Sequence, residues 1–328
     1  PLLTVTLEQE GAEREQEGAG RKQEETEGEQ EGAGRKQEGT GREQIHFHPG
    51  GQGVWVARMA ACMGAEPVLC GFLGGESGVL LGGLLERLGG QLRLVDTASA
   101  SGCYVTDRRS GERQLLGMRL SDPPSRHELD ELFSITCAEA MAAGWLVITN
   151  PMPAEALPLE VYGDLIADVR ASGCRTLVDL SSPRLDSALR GEPDLVKLND
   201  WELAEFVSGP VSEPAQLRAA AQRLCEAGAK AVIVTRGELP GLVLAGERAW
   251  QLTPPVLTHG FREGCGDAMM GALAATWARG ESFERALVVG AAAGAANFLR
   301  HGLGSASREV VQRFVDSVVL EPLTTTET

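Results

Sequence analysis

Several features that mark large protein classes are absent from this chain of 328 residues. It has no run of about 18 apolar residues, so no membrane-spanning helix is expected. Basic residues are scarce, with 30 Lys and Arg against 46 Asp and Glu, and the net charge of −16 disfavours a nucleic-acid scaffold. None of the seven cysteines forms a CxxC pair, which is typical of reduced thiols in a cytoplasmic protein. The 43% of hydrophobic residues predict a soluble globular chain.

Residues 8–44 differ from the rest of the chain in composition. Between Glu8 and Arg42, five seven-residue units follow one another: EQEGAER, EQEGAGR, KQEETEG, EQEGAGR and KQEGTGR. A heptad repeat suggests a coiled coil, but only alanines supply apolar side chains and eight glycines disfavour a helix. We therefore predict a disordered, low-complexity acidic insertion, with a helix that forms on a partner as the alternative.

Outside this insertion, short apolar strands alternate with amphipathic helices. The predicted strands include Pro67–Phe72, Leu92–Val95, Trp145–Thr149, Thr176–Leu180, Leu195–Leu198, Ala231–Thr235 and Leu242–Ala245. The predicted helices include Val54–Gly64, Gly78–Leu88, Arg126–Ala142, Leu159–Ser172, Trp201–Val207, Pro214–Ala227, Ala268–Arg279 and Ala286–Arg300. This alternation predicts an α/β fold whose mostly parallel central sheet is covered on both faces. Ligands of such sheets bind at the carboxyl ends of the strands.

Extended segments lie at the start of the chain and beside a predicted hairpin. Leu2–Leu7 has the composition of a buried strand, and extended chain resumes at Ile45–Phe47 after the repeats. Ser101–Thr106 and Glu112–Gly117 flank a polar turn, which predicts a β-hairpin.

The strongest local signal is the segment Arg262–Gly280, which reads REGCGDAMMGALAATWARG. Gly264 and Gly266 stand where a loop becomes a helix, so the peptide N–H groups around them can face one anion. Asp267 follows at the helix start, where a carboxylate can act as the general base of phosphoryl transfer. The competing interpretation is that Asp267 only caps the helix. Cys265 is interpreted as a small filler residue, because no His partner is near it in the sequence.

Three other segments add to a phosphate-handling pattern. The glycine-rich turn Gly50-Gly51-Gln52-Gly53 opens a helix. Asn199 and Glu202 lie three residues apart at the start of another helix, where their oxygens could hold a hydrated Mg²⁺. A further strand ends in a turn that contains Thr235 and Gly237 and suits nucleotide phosphates. No single one of these segments is specific.

Together and in this order, the motifs resemble the PfkB (ribokinase-like) family of carbohydrate kinases, most closely its phosphofructokinase and tagatose-phosphate kinase branch. The likeness covers nearly the whole chain outside residues 8–44. It implies one three-layer α/β/α kinase domain over residues 1–328, with lid segments at about 45–48 and 101–117. It also implies Mg²⁺- and ATP-dependent transfer of the γ-phosphate to a hydroxyl of a sugar or sugar phosphate, and a homodimer formed through the lid. No Walker A pattern is present, so a P-loop kinase is excluded.

The resemblance also implies roles for individual residues. Asp267 would be the catalytic base, and Asn199 and Glu202 would match the N-x-x-E pair that organises Mg²⁺ and phosphate. The anion hole for the γ-phosphoryl group would be formed by Gly264, Cys265 and Gly266. The residues implied at the nucleotide are Thr235, Gly237, Asn297 and Lys197. The residues implied at the acceptor are Gly50, Gly51, Gln52 and Trp55. For Asn297, a polar contact between helices is the alternative role.

The acceptor-binding half departs from the family pattern. The family's first strand runs into Asn-Pro-x-x-Asp, whose Asp binds sugar hydroxyls, whereas here Leu7 is followed by Glu8 and the repeats. In the family motif G-G-K-G-x-N, the Lys position holds Gln52 and the Asn position holds Trp55, for which packing is the favoured role. Two alternatives therefore stay open: a kinase-fold protein that binds sugar or nucleotide with little turnover, and a nucleoside kinase.

Other polar residues fit more than one role. Three arginines near the hairpin could supply charge for a phosphorylated acceptor, although a solvated turn is favoured: Arg108, Arg109 and Arg119. His46 and His48 alternate on one face of an extended segment, and a lid or surface position is favoured over a metal site. Asp179 ends a strand, where a place in the ligand pocket and a structural role are about equally expected.

Overall fold

The computed structural model describes residues 2–9, 43–110, 114–300 and 304–323. Its strands, in chain order, are β1 (Leu2–Gln9), β2 (Glu43–Gly50), β3 (Val68–Leu73), β4 (Gln91–Asp96), β5 (Cys103–Asp107), β6 (Gln114–Arg119), β7 (Trp145–Thr149), β8 (Arg175–Asp179), β9 (Leu195–Asn199), β10 (Ala231–Arg236), β11 (Leu239–Ala245), β12 (Arg248–Thr253) and β13 (Val319–Pro322). Its helices are α1 (Gln52–Cys62), α2 (Gly75–Leu85), α3 (Arg126–Ala143), α4 (Glu160–Ala171), α5 (Arg184–Arg190), α6 (Asp200–Val207), α7 (Pro214–Glu226), α8 (Cys265–Ala278), α9 (Phe283–Phe298) and α10 (Arg308–Val315). Within these ranges, every helix falls short of the length and apolar character that a bilayer crossing requires.

The largest sheet has seven strands in the order β13-β12-β11-β10-β9-β8-β7. Strands β7 to β10 pair in parallel, and their bounds agree with the predicted strands to within a residue. Strands β11, β12 and β13 extend this sheet with antiparallel pairing. The sequence pattern does not predict β12, β13, α5 or α10, which are short and rich in polar residues.

Successive residues of the parallel strands face opposite sides of the seven-stranded sheet. One buried row packs with α4 to α7 and comprises Val178, Val196 and Val232. The alternate row packs with α1, α8 and α9 and comprises Leu177, Leu195 and Ile233. Helices therefore cover both faces, which confirms the expected three-layer α/β/α arrangement.

Small residues hold α8 close to its neighbouring helices. A Cβ built on Gly271 would lie 2.4 Å from the carbonyl oxygen of Val56 in α1. A Cβ on Gly294 of α9 would lie 3.1 Å from the carbonyl oxygen of Cys265. Larger side chains at these glycines would force the helices apart, so this packing determines where α8 begins relative to the sheet.

Strands β3 and β4 form a separate parallel pair. Helices α1 and α3 each contact both β3 and β7. A Cβ on Gly53 of α1 would lie within 4 Å of both Thr149 and Leu69, which belong to these two strands. The β3–β4 pair therefore lies alongside β7 on shared helices, although the two sheets are not hydrogen-bonded to each other in the described part of the chain.

A four-stranded sheet in the order β2-β1-β5-β6, which we call the lid sheet, completes the fold. The antiparallel pairing of β5 with β6 confirms the predicted hairpin. The buried character expected of Leu2–Leu7 is wrong, because β1 pairs with β2 and β5 in the lid sheet and Thr4 and Val5 are half-buried. The lid consequently contains β1 in addition to the two segments that the sequence predicts.

The predicted bounds of the insertion, residues 8–44, are too wide at both ends. Glu8 pairs with Gln44 and Gln9 pairs with Glu43, so β1 and β2 run into the repeats. Residues 10–42 lie outside the described residues, and their predicted disorder stays a prediction. The repeats leave and re-enter the lid sheet at directly paired positions.

Candidate functional site

Charged side chains stand at the carboxyl end of two buried strands. On the side of the sheet that faces α8, the row of Leu177 continues to Asp179, and the row of Leu195 continues to Lys197. The parallel register pairs Leu177 with Leu195, which brings Asp179 beside Lys197. An apolar face thus becomes a charged one at the edge of the sheet where ligands bind in folds of this type.

Helix α8 begins without a side-chain cap. Its N-cap residue is Gly264, whose φ of +71° favours glycine and which makes no side-chain capping hydrogen bond. The N–H groups of the first turn can therefore bind an anion, and the helix dipole favours negative charge there. Asp267 is the third residue of the helix, so the interpretation of Asp267 as a cap is wrong.

Asp267 is buried beside the start of α8, whose residues 264–266 we call the anion loop. Its side chain belongs to a residue that is only 5% exposed, and Oδ1 has no hydrogen-bond partner among the described residues. Burial and the negative charge of Asp179 raise the pKa of Asp267 to about 7, although the charge of Lys197 acts in the opposite direction. A carboxyl group that titrates near neutral pH can accept a proton from a hydroxyl.

A buried ion pair lies next to Asp267. Lys197 donates from Nζ to Asp179 Oδ2 at 2.5 Å, and the two side chains are 7% and 4% exposed. Burial lowers the pKa of Lys197, but the charge and hydrogen bond of Asp179, together with the charges of Asp267 and Glu202, outweigh it. The pKa is therefore raised and the ammonium stays charged. A Cβ on Gly266 would lie 2.8 Å from Nζ. The structure therefore brings Lys197 and the anion loop together.

The two predicted Mg²⁺ ligands form the capping box of α6. Asn199 Oδ1 accepts from the Glu202 N–H at 3.0 Å, and Glu202 Oε2 accepts from the Asn199 N–H at 2.9 Å. Burial raises the pKa of Glu202, the bond from Asn199 lowers it, and the charge of Asp179 raises it further. The amide and carboxylate oxygens keep lone pairs that could bind a cation.

The predicted nucleotide turn lies close to the anion loop. Thr235 Oγ1 donates to the carbonyl oxygen of Leu198 at 3.4 Å, which ties the end of β10 to β9. Gly237 has a φ of +63°, and a Cβ on it would lie 3.9 Å from the guanidinium of Arg262. Arg262 belongs to the loop that leads into α8, so the Thr235-Gly237 turn and that loop are neighbours.

Cys265 and Asn297 have structural contacts. Burial raises the pKa of the Cys265 thiol to about 11, which agrees with its interpretation as a filler residue and not a nucleophile. Asn297 is fully buried, donates to the carbonyl oxygen of Glu263 at 3.0 Å and accepts from the Gly304 N–H at 2.7 Å. Asn297 therefore ties α9 to the loop before α8, as the helix-contact alternative expects.

The glycine-rich turn leads from the lid sheet into α1. Gly50 ends β2, and Gly51, with a φ of +106°, is the N-cap residue of α1. Gln52 accepts from the Asn150 N–H at 3.1 Å, which turns it toward the end of β7. Trp55 packs with a small cluster formed by Val54, Leu81 and Leu85. Trp55 thus packs against protein and Gln52 also contacts protein, while their expected place at the acceptor stays a prediction.

Arg108 connects the lid sheet to the loop that leads into α8. Its guanidinium lies 5.5 Å from the centroid of the Phe261 ring and 3.8 Å from the Glu263 carboxylate, and its side chain is 15% exposed. The solvated-turn interpretation is therefore wrong for Arg108. It is correct for Arg109, which pairs with Asp107 at 2.7 Å at the exposed end of β5.

Arg119 and the two histidines lie on the lid sheet. Arg119 lines a cavity of about 320 Å³ together with residues at the start of α2, including Gly75 and Ser77. His46 and His48 occupy β2 with ring centroids 5.9 Å apart, and they are half-buried and exposed, respectively. In the described ranges, no group of three or more His, Cys, Asp or Glu residues is placed to hold a metal ion by itself.

The sequence pattern left the role of Asp179 open, and the structure places its carboxylate in the site, where it pairs with Lys197. The strands around it and Lys197 read LVDL and LVKL, with one charge in each of two otherwise apolar segments. Opposite charges at matching positions of consecutive buried strands are a usable signal, because buried charges require partners. The contact of Arg108 with Phe261 has no such signal, since the two residues are far apart in the chain.

Comparison with known proteins agrees with this geometry. The profile described as pfkB family carbohydrate kinase matches residues 25–309. ATP-dependent 6-phosphofructokinase isozyme 2 of Escherichia coli (strain K12) is 30% identical over 274 residues, which cover 81% of this chain and 87% of that protein. The 1-phosphofructokinase of Rhodobacter capsulatus is 29% identical over 233 residues, which cover 68% of this chain and 71% of that protein.

Solved structures share the fold. A crystal structure of phosphofructokinase-2 from Escherichia coli in complex with potassium superposes with a TM-score of 0.78 at 27% identity. The superposition covers 96% of this chain and 95% of that one. The similarity therefore extends over the lid sheet, the central sheet and the loop that leads into α8.

Proposed function

The chain belongs to the pfkB family of carbohydrate kinases, and on this premise we propose that it transfers the γ-phosphate of ATP to a hydroxyl group of a sugar phosphate. Two relatives bear the names ATP-dependent 6-phosphofructokinase and 1-phosphofructokinase, which supports a phosphorylated acceptor. The proposal includes a cytoplasmic homodimer that associates through the lid. Seven free cysteines support the compartment, and exposed apolar side chains on β6, Leu115, Leu116 and Met118, support the association.

The position of Asp267 is the observation that carries the proposal. In the reaction, Asp267 accepts the proton of the acceptor hydroxyl as the oxygen attacks the γ-phosphorus of ATP. The new P–O bond forms while the bond between the γ-phosphorus and the β–γ bridging oxygen breaks, and ADP leaves with that oxygen. A base with a pKa of about 7 is largely ionised above neutral pH and can still release the proton afterwards.

The anion loop provides charge stabilisation for the same step. Peptide N–H groups of Gly264, Cys265 and Gly266 at the uncapped start of α8 would face the phosphoryl group as its charge spreads over the oxygens. The Cys265 N–H donates to the carbonyl oxygen of Arg262 at 3.4 Å in this structure and would exchange that long bond for one to the phosphoryl group. Lys197 adds a positive charge at this loop. Thr235 and Gly237 would lie along the nucleotide phosphates, and Asn297 would support the adenine side by holding the loop before α8.

Asn199 and Glu202 would hold the Mg²⁺ ion that accompanies ATP. The donor set fits such an ion, because the charges of Asp179 and Glu202 both raise the pKa of Asp267, so several carboxyl groups share the single ammonium of Lys197. Mg²⁺ commonly uses one or two protein ligands together with substrate phosphates, which agrees with the small protein donor set here. When bound, the ion supplies charge neutralisation of the phosphate oxygens.

The acceptor would lie between the lid sheet and the start of α1, near Gly50 and Gly51. Because Gln52 and Trp55 contact protein in this structure, the acceptor site differs from the family's usual Lys and Asn contacts. This difference is the reason to keep a binding protein with little turnover as the second candidate function.

A coupled assay of ADP release tests the function over fructose and tagatose phosphates, unphosphorylated hexoses and nucleosides. We expect turnover with a sugar phosphate, and we expect Asp267→Asn to lower kcat by about 10²–10⁴-fold while the Kd for ATP changes little. Turnover that survives this substitution would contradict the assignment of the base. ATP binding without turnover of any acceptor would favour the binding protein, and turnover of nucleosides alone would identify a nucleoside kinase.

A further inference from the structure

The Asp179–Lys197 ion pair is buried on a face of the sheet that also buries leucine side chains. Leu177 and Leu195, two residues earlier in the same rows, are fully buried. A buried ion pair seldom stabilises a fold more than apolar residues of similar volume, because the desolvation of two charges offsets their attraction. A contribution to folding stability therefore does not explain why the pair is present. Because the pair lies beside the anion loop, we infer that it acts in the functional site.

The Lys197 ammonium is directed at the loop that would receive the phosphoryl group. A Cβ on Gly266 would lie 2.8 Å from Nζ and 3.2 Å from Cε, so the amine packs directly against the loop backbone. In this position it can add a full positive charge to the peptide dipoles of the uncapped helix start. A preorganised charge of this kind stabilises the transition state most where water is excluded.

Asp179 determines which carboxylate the ammonium binds. Lys197 donates to Asp179, while Asp267 Oδ1 has no hydrogen-bond partner in the described part of the chain. A lysine side chain is a flexible stem with a mobile point charge. After Asp179, the carboxyl group with the largest effect on the Lys197 ammonium is Asp267, ahead of Glu202. Without Asp179, the ammonium could therefore pair with the base, and that contact would occupy the lone pair that accepts the proton.

We propose that Asp179 is a positioning residue for phosphoryl transfer, which holds the Lys197 ammonium against the loop of residues 264–266 and keeps it from pairing with Asp267. This inference rests on the proposed kinase function. Lys197 contacts the phosphoryl group and balances its charge, and Asp179 acts only through Lys197. The pair itself neither gives up nor takes a proton in the reaction.

Three variants separate this role from a structural one: Asp179→Asn, Lys197→Met and the double variant. Each single change breaks the buried Asp179–Lys197 pair and lowers the denaturation midpoint, whereas the double variant removes both charges and restores the midpoint. We expect kcat of the double variant to equal that of Lys197→Met, about 10²–10³-fold below wild type. The acceptor KM should change less than threefold in all three variants.

Two results of this cycle would overturn the inference. If kcat of the double variant recovers together with its stability, the pair is only structural. If Asp179→Asn causes a further tenfold loss in the Lys197→Met background, or if excess Mg²⁺ restores the activity of Asp179→Asn, then Asp179 acts independently of Lys197.

Lys230→Met is the matched control. Lys230 pairs with Asp194 at 2.8 Å immediately before β10 and β9, at the opposite end of these strands, and its side chain is 53% exposed. It receives the same substitution and has the same type of partner. We expect its kcat to stay within twofold of wild type, and a tenfold loss would show that the effect at Lys197 is not specific to the site.

Calorimetric titration with ATP and with ADP, both with Mg²⁺, tests the inference without any acceptor. Because only ATP carries the γ-phosphoryl group, Lys197→Met and Asp179→Asn should weaken ATP binding tenfold or more and ADP binding less than threefold. Equal weakening of both nucleotides would overturn the inference. If wild type binds ATP but phosphorylates no acceptor, the proposed function fails while this titration still decides the role of the pair.

Discussion

Replacing Asp267 by asparagine should stabilise the folded protein above neutral pH while it lowers kcat by about 10²–10⁴-fold. Burial raises the pKa of Asp267 from 3.8 to about 7 in the folded state. Between these values the unfolded chain ionises this carboxyl group and the folded protein keeps it protonated, so the wild type loses stability as the pH rises. The loss is complete above about pH 7 and absent below about pH 4. The asparagine amide does not ionise, so the variant does not lose this stability as the pH rises.

The magnitude follows from the pKa shift. At pH 8 the full pKa shift lowers the free energy of unfolding of the wild type by about 4 kcal/mol. At pH 5 the decrease is only about 1.6 kcal/mol, because this pH lies only slightly above the pKa of the carboxyl group in the unfolded chain. The new amide is buried where Asp267 Oδ1 has no partner, and this costs about 1–3 kcal/mol at either pH. We therefore expect Asp267→Asn to be about 1–3 kcal/mol more stable than wild type at pH 8 and nearly equal to it at pH 5.

Urea denaturation followed by tryptophan fluorescence at pH 5 and pH 8 measures both differences. The control is Asp164→Asn, because Asp164 lies exposed on α4. Its free energy of unfolding relative to wild type should be the same at the two pH values. The reasoning is refuted if Asp267→Asn shows no larger advantage at pH 8 than at pH 5, since burial would then not be what raises the pKa.

Three further predictions concern the site and the lid. Because Asp267 must be ionised to accept the proton, kcat/KM should rise about tenfold per pH unit below pH 7 and level off above it, and a flat profile between pH 6 and 8 would contradict this. Gly266→Ala should displace the Lys197 ammonium and lower kcat at least tenfold, whereas Gly83→Ala, which meets no atom within 4 Å, should leave kcat unchanged. Replacing residues 10–42 by Asn-Gly should raise the free energy of unfolding by up to about 2 kcal/mol, because the loop that joins β1 to β2 becomes much shorter. The acceptor KM should stay within twofold of wild type. A large rise in KM would show that the repeats contribute to the lid.

The start of α8 illustrates what can be predicted from the sequence. Gly264 and Gly266 flank a loop-to-helix transition that only small residues tolerate, and Asp267 follows within the first turn. These are preferences of a few consecutive residues, so they can be read without knowledge of the rest of the fold. The same holds for β7 to β10, whose short apolar runs identify them as buried strands.

The lid shows where such reasoning fails. Leu2–Leu7 is apolar enough for a buried strand, yet β1 pairs with β2 and β5 and its described side chains are half-buried. Arg108 lies in a polar segment whose composition predicts an exposed turn, yet its guanidinium packs on the Phe261 ring. Composition reports how well a segment tolerates burial, whereas its actual neighbours depend on contacts across the whole chain.

By itself, the sequence determined the alternation of strands and helices, the glycine-containing loop at the start of α8 and the placement of a carboxylate at its end, because these depend on local turn and helix preferences. Only the tertiary structure decided that Lys197 binds Asp179 and leaves Asp267 without a partner, and that burial raises the pKa of Asp267 to about 7. Burial and charge pairing arise between strands that are distant in the chain. They exist only once parallel pairing has brought β8 and β9 side by side under the first turn of α8.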